Sequence, residues 1–121
     1  TYEDMMVEQL EYAAKEKGIL AIGNVIDTQS DYPNTVIASA IWHMEPTIDR
    51  AVSKVSSGSF EAEDYGQFSF MKYGGGSLAP YGTFENRIPS NVKKQVAERS
   101  QEIKDGFFRV NVNDAEPKST M

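Results

Sequence analysis

The chain has 121 residues, enough for one small domain with a modest core, and a formal net charge of −6, which argues against a nucleic-acid partner because that role asks for a basic face. It has no cysteine and a single histidine, so disulfides, thiolate chemistry and a histidine-rich metal site within one chain are excluded. No apolar run approaches the roughly 18 residues of a membrane span, and the first residues lack the basic start and apolar stretch of a signal peptide.

Residues 3–17 predict a helix, with Met6, Val7, Leu10, Ala13 and Ala14 on its apolar face, Glu and Lys opposite, and Gly18 as a left-handed stop. Residues 19–23, ILAIG, form an apolar run without alternation, which suits a strand covered on both faces. A loop rich in turn formers follows, and VIASAIW at 36–42 is the second strand. Glu45 and Pro46 open a second helix with the stripe Ile48, Ala51, Val52 and Val55, ended by Gly58. Glu61, Glu63 and Asp64 read as a solvated loop.

GQFSFMK at 66–72 alternates enough to predict a third strand with Phe68 and Phe70 on one face. Lys72 is expected on the surface and Tyr73 in the core. A glycine loop, YGGGSLAP, comes next. It is not a phosphate-cradling loop, because no Lys follows Ser77, and Pro80 has no N–H to offer. Pro89 starts a third helix, with Val92, Val96 and Ile103 inward and Gly106 as its stop. FFRVNV is expected to be extended with Phe108, Val110 and Val112 on one side, followed by a polar, frayed tail. The recurrence of helix, glycine, strand is an α/β grammar.

In open α/β sheets, ligands sit beyond the carboxyl ends of the strands. The first strand end supplies Asn24, Asp27, Thr28 and Gln29; the second supplies Trp42, His43 and Met44. An ionised Asp suits a vicinal diol such as a ribose, an amide suits a purine edge, and a Trp face stacks on a flat base. Each has a plainer reading: Asn24 and Asp27 as turn formers, Trp42 as core, His43 as a satisfied structural group. Ser39 and His43 share a strand face but stand too far apart to bond, so no nucleophile–base pair is available. The constellation describes binding better than catalysis, and neither a catalytic residue nor a metal or cofactor is assigned.

Three segments carry a resemblance: YAAKEKGILAIGN, then TVIASAIWHMEPTIDRAVSKVSSGSF, then SLAPYGTFENRIPSNVKKQVAE. In this order and spacing the chain resembles the C-terminal part of the basic membrane protein (BMP) lipoprotein family, over residues 11–118. These are purine-nucleoside receptors of bacterial ABC importers. The resemblance implies a type I periplasmic binding protein fold: three αβα layers, a mainly parallel sheet, and strands crossing a hinge between two lobes. Residues 1–121 would contribute to both lobes and the hinge and be incomplete alone, as a fragment, a truncated relative or one piece of a cleaved protein.

The implied function is extracytoplasmic binding of a purine nucleoside or base in the interlobe cleft, at the periplasm or the outer face of the cytoplasmic membrane. An ABC permease would be the partner, with a companion chain or dimer completing the fold. The family's lipid-anchored start is absent from this chain. The family's ribose-contacting acid falls at Asp27, with Asn24 as rival. Where the family often carries a ligand-contacting Lys, this sequence has Trp42 followed by His43, a departure that opens the identity of the ligand. The glycines at 74–76 match the family's structural turn before its last helix. Two other readings stay open: a ligand-sensing regulatory module of the same fold, and a nucleoside-processing enzyme with Asp27 as its acid or base.

Overall fold

The computed structural model describes residues 2–111 and 115. The element order is α1 (Tyr2–Lys17), β1 (Ala21–Val25), β2 (Val36–Trp42), α2 (Glu45–Ser56), β3 (Gly76–Leu78) and α3 (Ser90–Asp105). The three strands form one sheet in the order β1-β2-β3. β1 pairs with β2 in parallel, with Gly23 opposite Ser39 and Asn24 opposite Ala40. β2 pairs with β3 antiparallel, with Ala40 opposite Leu78 and Trp42 opposite Gly76. The α/β class is thus observed in a small mixed sheet. Among the described residues no helix is long and apolar enough to cross a membrane.

The helices end where glycine predicts. Gly18, Gly58 and Gly106 have φ of +65, +68 and +80, and Ile19 N–H donates back to the Ala14 carbonyl at 3.0 Å as the chain leaves α1. Pro46 sits in the first turn of α2, where its missing N–H breaks no helical bond. β1 begins two residues later than the apolar run suggests, because Ile19 and the Gly18 turn belong to the exit from α1.

Several expectations are corrected. The stretch 66–72 is not a strand but two 3-10 turns, Tyr65–Ser69 and Met71–Tyr73. Local polar groups capture its backbone: Asp64 Oδ1 accepts from Gly66 N–H at 3.1 Å, and Ser69 Oγ donates to the Gly66 carbonyl at 2.7 Å. Such bonds compete with a sheet ladder. Phe70 and Tyr73 are consequently exposed. The third strand lies instead inside the glycine loop, at β3. Gly75 makes this possible, since a Cβ there would stand within 3.0 Å of the Phe68 carbonyl and the Ser69 backbone. Phe108 and Val110 are not in a strand, and Val112 and most of the polar tail lie outside the described residues.

The core is small: Ala14, Val36, Ala38, Ala79 and Phe84. The predicted face of α1 is rotated. Leu10 is 67% exposed, while Glu11 is buried at 2% and, with Val7 and Ala14, forms the face set against the sheet. The stripe of α2 is also at the surface, with Ile48, Val52 and Val55 exposed. β1 is covered on one face only, and Ile22 on the other is 70% exposed. The acidic loop is tied down rather than free: Arg50 pairs with Glu63 and Lys54 with Glu61, each at 2.9 Å.

Candidate ligand-binding site

β2 runs out at Trp42, and His43 and Met44 carry the chain into α2. Beside this end lie β3 and one face of α3. Between them is an open groove of about 920 Å³, lined by Trp42, His43, Met44, Ser77, Leu78, Val92, Val96 and Ile103 among others. Its volume falls in the upper part of the range of small-molecule sites. Trp42 is 62% exposed, so its indole is presented rather than packed away.

His43 is fixed from two sides. Its backbone N–H donates to the Gly75 carbonyl at 2.9 Å, and its Nε2 lies 2.8 Å from Ser77 Oγ. The imidazole therefore has a polar partner on β3 and belongs to the groove wall. Ser77 was legible only as the serine after three glycines; its pairing with His43 depends on the antiparallel register that puts Ser77 opposite Ile41. The α3 wall is mainly apolar where Val92, Val96 and Ile103 face the groove, and polar between Val96 and Ile103. There Arg99 pairs with Glu102 at 2.9 Å and its guanidinium lies 4.0 Å from the Phe108 ring centre. Lys93 anchors the start of α3 through its ammonium, which donates to Glu85 Oε1 at 2.6 Å and to the Glu85 carbonyl at 2.9 Å.

The four candidate residues divide between two places. Trp42 and His43 share the groove. Asn24 lines a separate cavity of about 190 Å³ between α1 and the loop after β1. Asp27 lines neither; it is exposed, and its Oδ1 accepts from Gln29 N–H at 3.1 Å, an Asx turn that still leaves carboxylate capacity toward solvent. Gln29 is a structural strap, its amide donating to the Tyr81 carbonyl at 2.6 Å and the Val36 carbonyl at 3.3 Å. Between Asn24 and Asp27 the backbone is strained: Val25 has φ of +76, unfavourable for a β-branched residue. Strain of this kind gathers at ligand-contacting segments.

Behind β1 lies a polar cluster that the sequence did not signal. The space where a Cβ on Gly23 would stand is approached within 3.0 Å by Ser39 Oγ, Thr28 Oγ1 and Glu11 Oε1. Thr28 donates to Glu11 at 2.5 Å. Glu11 Oε2 and Ser39 Oγ are buried without a hydrogen-bond partner. Among the described residues no three His, Cys, Asp or Glu side chains converge to hold a metal ion.

No known family model matches the chain. No curated protein matches it either.

Proposed function

We propose that this chain is part of an extracytoplasmic solute-binding protein similar to the BMP lipoproteins, and that its ligand is a purine nucleoside or a related flat, polar solute. The observation that carries this reading is the exposed indole of Trp42 beside the tethered His43, on the wall of a 920 Å³ groove at a strand end. An exposed tryptophan face over a cleft is suited to stacking on a base. Asn24 and Asp27 stand at the end of the adjacent strand. Neighbouring strands are about 4.8 Å apart, a separation that a base joined to a ribose can bridge. In this reading Trp42 covers the base, His43 offers a ring nitrogen, and Asp27 with Asn24 takes the ribose hydroxyls.

The ligand would be captured by closure of two lobes about a hinge and released to an ABC permease, without chemical change. The exposed Ile22, Trp42 and Leu78 support a companion chain or a second copy that completes the fold. The proposed location is the periplasm or the outer face of the cytoplasmic membrane.

Trp42 is the only tryptophan, so its emission reads the groove directly. Titration with adenosine, inosine and guanosine should quench it saturably, with the nucleoside recovered unaltered. Trp42→Ala should weaken binding by about tenfold or more in calorimetry, at a cost to stability under about 1 kcal/mol, because the side chain is mostly in solvent. Absence of saturable quenching by all three nucleosides, in the chain and in the complex with any companion polypeptide found by native mass spectrometry, would remove the nucleoside reading.

A further inference from the structure

The smaller cavity differs from the groove in its chemistry. Its 190 Å³ is below the usual size of a drug-like site, and its wall brings together Glu8, Glu11, Asn24, Thr28, Asp31 and Tyr32. Among the described residues no Lys, Arg or His pairs with any of the three carboxylates. Glu11 is only 2% exposed, and Thr28 satisfies one of its oxygens while Oε2 has no partner. A buried carboxyl oxygen without a donor is costly, and native structures supply a partner to nearly all such groups.

The local field points the same way. The Tyr32 phenol is pushed above its ordinary value by partial burial and then by the negative charges of Glu8, Glu11 and Asp31. The Tyr32 ring already draws one ammonium, that of Lys15, whose Nζ lies 6.0 Å from its centre. A divalent metal is disfavoured, since the carboxylates do not converge on one point. A cavity of 190 Å³ is several times the roughly 30 Å³ share of one water, and Val7 and Ile26 add apolar wall. Those features fit a charged head with a short carbon chain.

We infer that this cavity is a second binding site, for a small primary ammonium ion, with Glu11 as its buried anchor and Glu8 and Asp31 as flanking charges. The ammonium supplies up to three N–H donors to the carboxylates of the wall, and Glu11 Oε2 receives one when its side chain turns toward the cavity. Asn24 and the Tyr32 ring close the sides. The site shares Asn24 with the nucleoside reading but is anchored at Glu11, whereas that reading rests on the groove at Trp42.

The test is an amide chemical-shift titration of the full chain with ethylammonium chloride, at ionic strength held constant with sodium chloride. Saturable shifts are expected at Asn24, Thr28 and Tyr32, with little change at Trp42 and His43. Glu11→Gln should weaken binding about tenfold or more, as loss of a buried charge partner does. Should that variant fail to fold, the double variant Glu8→Gln/Asp31→Asn, at two exposed positions, decides: an affinity reduced about threefold or more supports the site, and unchanged affinity overturns it. Absence of saturable shifts, equal shifts with sodium chloride alone, or an equal response to the uncharged isostere ethanol would each overturn it.

Discussion

The surroundings of Gly23 and of Trp42 belong to the same small sheet and are built on opposite principles. Behind Gly23 the space is tight and polar: Ser39 is fully buried, Glu11 nearly so, and a hydroxyl of Thr28 fills the gap that a side chain on Gly23 would need. At Trp42 the space is wide and apolar, and the largest side chain of the strand stands in solvent. A soluble domain ordinarily reverses this, placing its large apolar groups inside and its carboxyls outside. Burial here follows the room left by backbone and small residues. The apolar groups that found no room form an uncovered surface suited to a ligand or a companion chain.

The largest effect should come from closing the wide region at its root. Gly75→Ala would drive a methyl into the backbone of the preceding turn. We expect a loss of about 3 kcal/mol or more in urea unfolding, and the hydrogen bond between His43 and Ser77 should break as β3 is displaced. A loss below 1 kcal/mol would mean that β3 does not depend on this close approach.

The tight region should be the next most sensitive. Thr28→Val keeps the shape and removes the donor to Glu11, leaving both oxygens of a buried carboxyl unpaired. The expected cost is about 1–3 kcal/mol by thermal denaturation. An unchanged midpoint would show that solvent reaches Glu11. Val25→Gly sharpens the contrast from the other direction. It removes a β-branched side chain from φ of +76 at the boundary of the two regions and should raise stability by up to about 1 kcal/mol. A destabilised Val25→Gly protein would indicate that packing of the valine outweighs its strain.

The smallest effect lies outside both regions. The Arg50 guanidinium, through its hydrogen bond and then its charge, holds Glu63 below the ordinary carboxyl value of 4.5. A carboxyl lowered in the folded state contributes stability that is present above about 4.5 and is lost as the pH falls through the folded value. Glu63→Gln should therefore flatten a slight loss of stability on the acid side of 4.5 and leave neutral stability almost unchanged, because the pair is exposed. Acid melting curves of the two proteins check this; coincident curves throughout would show that the pair contributes nothing.

Much of the fold was legible because glycine and proline mark its boundaries. Gly18, Pro46, Gly58 and Gly106 delimit the helices as read, and Val36–Trp42 is the second strand without adjustment. The failures share a physical cause. At 66–72 the alternation of Phe68 and Phe70 imitated a strand, but Asp64 and Ser69 bound the local backbone first. At β3 the signal was absent, since glycine carries no side chain to alternate. On α1 the apolar stripe gave way to Glu11, because only the paired strands reveal that Gly23 and Ser39 together leave room for a carboxyl. Of the site, Trp42 and His43 were readable as a strand end facing a cleft, whereas the Ser77 partner of His43 and the cavity at Glu11 require the sheet register and the helix rotation.

The ladder between β1 and β2 bears on the order of folding. Parallel strands ordinarily wait for a crossover of a dozen or more residues, most often a helix. Here residues 26–35 join β1 to β2 through turns alone, held by Asp31 and Tyr32 N–H groups on the Thr28 carbonyl and by Thr35 and Val36 N–H groups on that of Tyr32. A loop of this length closes in about 10–100 ns, so the parallel pair need not await a docked helix. In pulsed hydrogen exchange the amides of Ser39 to Ile41 are expected to gain protection before those of α3, making this short loop the kinetic starting point around which the rest of the chain is assembled.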